Sequence, residues 1–411
     1  MVSARFAPVL RTKAMARQPR LTRSIADLTI LNQPTTSKQV PITKAGPSNG
    51  GRSAVSGHTV TVFGCTGFLG RYIVSKLAKE GTQVIVPYRD EDKKRHLKVT
   101  GDLGVVVPLE WDARNPDQIH ECVRHSDTVY NLTGLDWESR NFSYEDVNVK
   151  TAGLIAEVCA QSNVDQLIHV SHLNANPNSS SRFYRTKYDG ERAVRNAFPD
   201  ATIVRPGPMF GAEDWFLNAA AQYPALFKLN GGNTKFMPVH VLDVAKALKV
   251  MLDAPVTSVA STFHLAGPAI KTGNEILDLV SLLTMKPMNK AVEVPKSVAL
   301  AFAKLVNKAI WWPTVSPDEI ERKYINDAGI EALEPLDTSA YPDGWAPSQQ
   351  SSIIPGVDGE PVKTFADLAI SPDHIEEWAI RYVRRYRSSA TYDMPVELGH
   401  FKNPKPYHTV P

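Results

Sequence analysis

The chain has 411 residues, a formal net charge of +3 and 43% hydrophobic residues. Its length allows two or three domains, and its balance of apolar and charged residues is that of a globular protein. The small net charge excludes a strongly basic surface over the whole chain, so nucleic acid is not an expected partner. The cysteines show no CxxC spacing, which excludes a disulfide framework or zinc site and fits a reducing compartment: Cys65, Cys122 and Cys159.

Residues 1–26 form a basic leader that contains no acidic residue before Asp27. Arginine and lysine are interleaved there with hydroxyl-bearing and apolar residues, which is typical of a mitochondrial transit peptide. A disordered basic tail of a cytosolic protein is the alternative. Residues 27–57 include a run rich in Pro, Gly, Ser and Thr and are predicted to form an extended connector. No apolar run of ~18 residues occurs, so no transmembrane helix is expected.

After residue 57, short apolar runs alternate with helical patterns. Strands are predicted at 58–63, 83–86, 105–109, 128–132, 167–170 and 202–204, and helices at 69–79, 116–124, 147–161 and 185–198. Apolar strands separated by helices predict a parallel sheet covered on both faces, which is the doubly wound α/β architecture. We assign 58–270 to this Rossmann domain. Residues 271–411 are expected to form a smaller region, helical at 276–283, 295–312 and 375–387 and irregular at 335–362.

A glycine-rich turn, Gly64-Cys-Thr-Gly67-Phe-Leu-Gly70, follows the first strand and opens the first helix. Glycines let the backbone approach a pyrophosphate, and the helix N-terminus supplies free N–H groups and a favourable dipole. The turn is therefore predicted to bind a dinucleotide, although a tight turn without a ligand is the alternative. The predicted contacts are Gly64, Thr66, Gly67, Phe68, Leu69, Gly70 and Arg71.

The residues after the second strand decide which dinucleotide binds. An acidic residue there would bind the ribose hydroxyl of NAD, whereas a basic residue suits the 2′-phosphate of NADP. Arg89 lies in this stretch, and a guanidinium matches a phosphate in charge and geometry. Asp90 is the alternative if the strand ends one residue later, and Arg71 is a second candidate for the phosphate. We expect NADPH.

The GxxGxxG spacing resembles that of the extended short-chain dehydrogenase/reductase family, and further residues match at the expected places. The resemblance implies that Asp112 contacts adenine and that the end of the fourth strand lies beside the cofactor. Asp112 and Asn148, which resembles the family's VN motif, are equally expected as helix caps. The implied cofactor contacts beyond the glycine turn are Asp112, Asn131, Leu132, Thr133 and Pro206, the last within Arg205-Pro206-Gly207.

In this family a Ser or Thr, a Tyr and a Lys transfer the proton that accompanies hydride transfer. The resemblance assigns Ser171 and Lys187 to two of these positions, but Phe183 stands four residues before the lysine, where the tyrosine belongs. Tyr184 is adjacent, but one helical step rotates it by about 100°. We therefore expect no catalytic residue, with Lys187 kept to bind the nicotinamide ribose or else simply solvated on the helix surface.

A closer resemblance covers nearly all of the chain after the leader and weakens after about residue 270. The segment 168–176, Ile-His-Val-Ser-His-Leu-Asn-Ala-Asn, is similar to the nucleotide-binding accessory subunits of mitochondrial respiratory complex I, as are 64–71, 109–114 and 214–218. The resemblance implies a non-catalytic subunit that holds a structural NADPH on the matrix side of the inner membrane. Its partners would be other complex I subunits at the junction of the peripheral and membrane arms. A soluble matrix reductase or epimerase that uses NADP, or a free NADPH redox sensor, is the alternative.

The predicted helix at 295–312 has one apolar face opposite a basic face. A helix of this kind can lie in the headgroup layer of a membrane, so contact with inner-membrane lipid is one interpretation. Packing of the apolar face on the Rossmann core is the other. The apolar residues are Val298, Phe302, Leu305, Val306, Ala309 and Trp312.

Overall fold

The computed structural model of the chain describes residues 55–222, 227–253, 258–286, 292–309, 316–330, 355–356, 359–393 and 396. The predicted transit peptide lies outside the described residues, as do nearly all of the predicted connector and most of the stretch 335–362. Their assignments therefore stay predictions.

A seven-stranded parallel sheet forms the centre of the fold, in the order β11-β6-β5-β4-β1-β2-β3. The chain runs outward from β1 in one direction and then resumes at β4 on its other side. At such a reversal the carboxyl ends of neighbouring strands diverge and leave a crevice, which is where ligands bind in this architecture. The strands are β1 (Thr59–Phe63), β2 (Gln83–Tyr88), β3 (Val106–Glu110), β4 (Thr128–Asn131), β5 (Gln166–Val170), β6 (Thr202–Pro206) and β11 (Thr262–Leu265).

Helices cover both faces of the sheet, which confirms the doubly wound α/β prediction. Apolar residues of α1 and α7 fill the core on one face, and those of α3, α4 and α5 fill the other. A π-helical turn, Glu145–Thr151, leads directly into α4. The helices are α1 (Phe68–Lys79), α2 (Glu91–Lys98), α3 (Pro116–Val123), α4 (Ala152–Gln161), α5 (Arg182–Ala197), α6 (Trp215–Gln222), α7 (Val241–Asp253), α8 (Gly273–Thr284), α9 (Lys296–Ala309), α10 (Pro317–Arg322) and α11 (Ile375–Val383).

Smaller elements tie the later part of the chain to the sheet domain. Helices α6, α8 and α11 share a third apolar cluster, and short strands pair as β10 with β7, β12 with β9 and β13 with β8. Among the described residues no helix is long and apolar enough to cross a membrane. The short strands are β7 (Met209–Phe210), β8 (Phe227–Lys228), β9 (Lys235–Phe236), β10 (Val239–His240), β12 (Lys271–Thr272) and β13 (Val292–Glu293).

Helix α9 packs through two small residues and Leu300, while three other large apolar side chains of the helix stay exposed. Ala299 and Ala303 are buried against Ile320 of α10, whereas Phe302 and Leu305 are 59% and 68% exposed. The interpretation in which the large apolar side chains pack on the Rossmann core is therefore wrong. Trp312, predicted to continue this face, lies outside the described residues.

Candidate nucleotide-binding site

The glycine turn has the close packing that a phosphate-binding loop requires. Gly64 has a φ of +80°, and a Cβ on it would lie 2.8 Å from the carbonyl oxygen of Leu132. A Cβ on Gly70 would lie 2.3 Å from the carbonyl oxygen of Gly64, so the first turn of α1 sits directly on the loop. Gly67 is the N-cap of α1 and makes no side-chain capping bond. The first N–H groups of α1 are thus available to an anion.

The residues that follow Gly64 differ in how they could contribute to binding. Leu69 is buried in the core beneath α1, so only its backbone is available, and Phe68 packs edge-on against Tyr72. The Arg71 guanidinium lies beside the turn, where Nε donates to the carbonyl of Thr66 at 3.2 Å. Its Nη1 is 2.7 Å from a carboxylate oxygen of Glu213. A phosphate at Arg71 would therefore have to share the guanidinium with Glu213.

The end of β2 carries two candidate contacts for the ribose of the nucleotide, the acidic Asp90 and the basic Arg89. The structure gives them different roles. Asp90 is the N-cap of α2 and accepts a hydrogen bond from the backbone N–H of Asp92 at 3.1 Å. Its second oxygen is 3.7 Å from Nζ of Lys93. Arg89 is exposed, and no hydrogen bond or ion pair holds its guanidinium within the described parts of the chain. The acid is thus engaged in helix capping, while the arginine is available to a ligand.

Neither of the two residues that were equally expected as helix caps is a cap. Asn115 is the N-cap of α3, whereas an exposed Asp112 accepts from the N–H of Arg114 at 3.0 Å. Asn148 lies inside the π-helical turn, where Nδ2 donates to Oγ1 of Thr186 at 3.2 Å. The capping interpretation is therefore wrong for both residues. Oδ1 of Asn148 is buried without a partner among the described residues.

The end of β4 lies against the glycine turn, as the sequence predicts. Asn131 is buried, and its Oδ1 accepts from both the N–H and the Oγ1 of Thr133, at 3.1 and 2.6 Å. Its Nδ2 has no partner in the described part of the chain. The backbone of Leu132 meets Gly64 and donates from its N–H to Phe63 at 3.0 Å. These residues form one wall of the crevice.

Ser171 and Lys187 bring two polar groups into the buried end of the same crevice. Ser171 follows β5, and its Oγ is buried without a partner among the described residues. Lys187 is 6% exposed, so the solvated-lysine interpretation is wrong, and Nζ lies 3.1 Å from where a Cβ on Gly134 would be. Burial lowers the pKa of Lys187 to about 8, with the charges of Asp136 and Glu191 opposing that shift.

The unpartnered hydroxyl of Ser171 and amide nitrogen of Asn131 fit a dinucleotide. Burying a hydroxyl and an amide without partners costs free energy, and a bound ribose would supply the missing acceptors and donors. Pro206 lies further along, buried at the end of β6, where its carbonyl accepts from the N–H of Leu173 at 3.0 Å.

Phe183 and Lys187 lie in one continuous helix, without any change of helical register between them. Helix α5 runs unbroken from Arg182 to Ala197, so Phe183 and Lys187, four residues apart, share one face. The ring of Tyr184 lies closer to His172 than the ring of Phe183 does, with centroids 4.9 Å apart. Its hydroxyl bonds to Asn174, and burial raises the pKa of Tyr184 to about 12. Tyr184 is therefore a neutral phenol and not a substitute base.

Three further residues surround Phe183, and sequence reasoning did not identify any of them as site residues. Tyr144 and His172 contact the ring with centroid separations of 5.6 and 5.8 Å, and the guanidinium carbon of Arg322 lies 4.6 Å from the ring centroid. Tyr144 donates to the carbonyl of Asp136 at 3.0 Å, and burial raises its pKa to about 12. His172 lies within the motif at 168–176, but Arg322 carries no sequence signal.

A histidine and two aspartates form a second polar group. Ligand atoms of His240, Asp243 and Asp373 lie within 4.8 Å of one another. Both ring nitrogens of His240 already have partners, Asp373 at 3.2 Å and the hydroxyl of Tyr382 at 2.8 Å. The ring of Trp378 lies 4.6 Å from His240. This group therefore docks α11 onto the sheet domain.

Comparison with known proteins agrees with this geometry. The profile of the NAD dependent epimerase/dehydratase family matches residues 60–266. The mitochondrial NADH-ubiquinone oxidoreductase 40 kDa subunit of Neurospora crassa is 44% identical over 393 residues, covering 93% of this chain and 94% of that protein. The mitochondrial NADH dehydrogenase [ubiquinone] 1 alpha subcomplex subunit 9 of Rattus norvegicus is 37% identical over 344 residues, covering 82% and 83%.

Solved structures support the fold alone. A triphenylmethane reductase from Citrobacter sp. superposes with a TM-score of 0.54 at 16% identity, covering 79% of this chain and 99% of that chain. The glycine turn, the replaced tyrosine and the near full-length sequence matches therefore lead to one conclusion. The chain belongs to the family of the mitochondrial NADH-ubiquinone oxidoreductase 40 kDa subunit and alpha subcomplex subunit 9, within the NAD dependent epimerase/dehydratase family.

Proposed function

We propose that the chain is a non-catalytic accessory subunit of mitochondrial NADH:ubiquinone oxidoreductase (complex I) that holds NADPH as a structural ligand. One observation carries the proposal: the phosphate-binding turn at Gly64–Gly70 is complete, whereas Phe183 stands where the proton-transferring tyrosine belongs. Phenylalanine has no ionisable oxygen, and the two nearby phenols of Tyr144 and Tyr184 are buried and neutral. Binding without turnover follows from that combination.

Different residues of the crevice bind different parts of the nucleotide. The N–H groups at the start of α1 take the pyrophosphate, and Arg89 takes the 2′-phosphate. Ser171 and Lys187 hydrogen-bond the ribose next to the nicotinamide. When bound, the nicotinamide is able to supply a hydride, but this chain offers no group at Phe183 to move the accompanying proton.

The choice of NADPH over NADH is tested by Arg89→Asp. Loss of a charge-assisted contact typically weakens binding by about 1.5–3 kcal/mol, and a carboxylate facing the phosphate adds repulsion. At ~1.4 kcal/mol per tenfold, NADPH affinity should fall by at least one to two decades while NADH affinity changes much less. Arg95→Asp is the matched control, because Arg95 is an exposed arginine on α2 paired with Asp92. Equal losses of NADPH and NADH affinity in Arg89→Asp would refute the assignment.

The assembly proposal has a direct test in native gels of solubilised mitochondria probed for this chain. Migration with complex I supports the accessory role, with partner subunits at the junction of the peripheral and membrane arms. Two other results favour different functions. Steady NADPH oxidation by the purified chain would indicate a soluble matrix reductase or epimerase, and nucleotide-dependent binding to a partner outside complex I would indicate a free redox sensor.

We further propose that the subunit sits peripherally on the matrix side of the inner membrane and touches lipid through α9. The exposed Val298, Phe302 and Leu305 support this, since apolar side chains that share one helix face can enter a headgroup layer. Phe302→Asp combined with Leu305→Asp should lower binding to vesicles of phosphatidylcholine with anionic lipid and leave nucleotide content unchanged. Val99→Asp with Leu103→Asp is the control, because those apolar side chains lie elsewhere and are even more exposed, at 85% and 101%. Unchanged vesicle binding would exclude lipid contact by this face.

A further inference from the structure

The segment 316–330 lies across the crevice at Phe183. The guanidinium carbon of Arg322, in α10, is 4.6 Å from the centre of the Phe183 ring. Its Nη2 donates to the carbonyl of Asp136 at 2.7 Å, on the loop that follows β4. Arg322 thus bridges the two sides of the crevice over the ring. Phe183 itself is 4% exposed.

Asp318, also in α10, fixes the start of this segment to helix α5. Its carboxylate accepts from the backbone N–H of Arg182 at 2.7 Å and of Phe183 at 3.3 Å, and from Oγ of Ser181 at 2.9 Å. These N–H groups belong to the first turn of α5 and have no partner within the helix. The carboxylate also favours the positive end of the helix dipole. One side chain therefore caps the helix that carries Phe183.

The end of the segment is fixed by a second buried carboxylate. Asp327 accepts from Nδ2 of Asn174 at 3.0 Å and from the backbone N–H of Met237 at 2.8 Å. Asn174 in turn accepts from the N–H of Ala328 at 2.7 Å. Between these two anchors, Ile325 packs against the aromatic cluster of Tyr144, Phe183 and Tyr184. The segment is thus attached at both ends, and Ile325 between the anchors packs on the aromatic cluster.

A cavity lies beside the segment, and Tyr144 of the aromatic cluster is among its lining residues. The cavity has a volume of ≈ 340 Å³, and its charged and polar lining side chains include Arg182, Arg185, Asp318 and Glu321. Neither Ser171 nor Lys187 lines this cavity. A small molecule in the cavity would therefore contact Tyr144 and α10 but neither Ser171 nor Lys187.

We propose that residues 316–330 form an internal plug that occupies the place where an enzyme of this fold admits its carbonyl or sugar substrate. A catalytic tyrosine must come within about 2.6–3.2 Å of the group with which it exchanges a proton. At position 183 the approach is closed by Arg322 on the ring face and by Tyr144, His172 and Tyr184 around it. Loss of catalysis thus has two separate causes, a missing base and a blocked approach. The plug extends the proposed function, but its test needs no nucleotide.

The test is the rate at which iodoacetamide alkylates the thiol introduced by Phe183→Cys in the full chain, mapped by mass spectrometry. All three native cysteines are buried and give a low background. The Phe183→Cys thiol should react at least ten times more slowly than a reference thiol introduced by Trp215→Cys, since Trp215 is 76% exposed. Adding Asp318→Ala and Arg322→Ala should raise the rate at position 183 at least tenfold, whereas adding Arg95→Ala should leave it unchanged.

Two results would overturn the plug. One is a Phe183→Cys thiol that reacts as fast as the Trp215→Cys reference in the otherwise unchanged chain. The other is a rate at position 183 that Asp318→Ala and Arg322→Ala do not alter. Global unfolding of the variant that carries all three substitutions would show as alkylation of Cys122 and Cys159. In that case Phe183→Cys is combined with Arg322→Gln alone. A failure of the proposed function would appear separately, as a chain that binds no NADPH.

Discussion

The two ends of the crevice differ in whether they are open to a ligand. At the phosphate end, backbone N–H groups, the Gly64 and Gly70 contacts and Arg89 leave room and hydrogen-bonding capacity for a ligand. At the nicotinamide end, Phe183 is enclosed by aromatic rings and by a guanidinium from another part of the chain. Binding a nucleotide and reacting with it are therefore separable, because they depend on different residues. Each of the following predictions probes one side of that contrast.

The largest effect is expected at the phosphate end, from Gly70→Ala. The new methyl group would lie 2.3 Å from the Gly64 carbonyl oxygen and 2.6 Å from Cα of Cys65, both backbone atoms that cannot move aside cheaply. A loss of at least ~4 kcal/mol in unfolding free energy, with loss of nucleotide, is expected from such a clash.

Gly153→Ala is the control for that experiment, because its new methyl group would meet only the Ala193 side chain at 3.6 Å. In a helix interior this substitution should be neutral or stabilising by up to about 1 kcal/mol. Urea denaturation of the two variants measures the difference. Equal stabilities would contradict the close packing of α1 on the turn.

The next largest effect is a loss of unfolding free energy when the ion pair that anchors α5 to the sheet is broken. Arg205 of β6 and Glu191 of α5 form a fully buried bidentate ion pair, with nitrogen–oxygen distances of 2.9 and 2.6 Å. Glu191→Ala should destabilise the chain by about 3–5 kcal/mol, because it removes the carboxylate that balances the buried guanidinium charge. Combining Glu191→Met with Arg205→Met should cost much less. A denaturation cycle in which the double variant is as unstable as Glu191→Ala would contradict this explanation.

Lys187→Met should change the free energy of unfolding and the affinity for NADPH in opposite directions. A lysine pKa lowered from 10.5 to about 8 by burial corresponds to about 3 kcal/mol of lost stability at pH 7 in the nucleotide-free chain. The variant should therefore be more stable than the wild type but bind NADPH more weakly. The sign of the pH dependence follows: the wild type should gain stability as pH rises from about 8 to about 10.5, and the variant should not. A destabilised variant would show that Lys187 is a structural residue.

The smallest effect is a pH dependence at His172. Burial lowers its pKa to about 3, assisted by the positive charges of Arg322 and Lys187. The unfolded chain takes up this proton near pH 6.5, and the folded chain does not. The free energy of unfolding therefore falls as pH drops below about 6.5, by at most ~1.4 kcal/mol per pH unit. His172→Asn should remove that slope. The measurement is the stability difference between the two proteins from about pH 7.5 to about pH 5, and parallel curves would contradict it.

Local patterns in the sequence were sufficient to predict much of the fold and the position of the glycine turn. The glycine turn lies between β1 and α1, and the four-residue spacing of Phe183 and Lys187 lies within α5, so both depend on neighbours along the chain. Strand β11, Thr262–Leu265, was not predicted because it is short, includes a histidine and lies at the sheet edge. Helix α2 was missed because it is mostly charged and buries little.

The closure of the nicotinamide end could not be predicted, because it is made by contacts between distant parts of the chain. Asp318 reaches Arg182 across 136 residues, and Arg322 reaches Asp136 across 186. Nothing in the sequence near α10 distinguishes these two side chains from solvated charges. Likewise, Asp112 and Asn115 are both good capping residues, and only the start of α3 shows that Asn115 is the cap.

The most direct test of the central claim is to denature the purified chain, identify the released nucleotide by chromatography, and assay the undenatured protein for NADPH oxidation. We predict NADPH in an amount that matches the chain, and no oxidation with carbonyl substrates in either the wild type or Phe183→Tyr. NADH as the predominant nucleotide, or steady oxidation of NADPH by the wild type, would contradict a nucleotide that is held but not used.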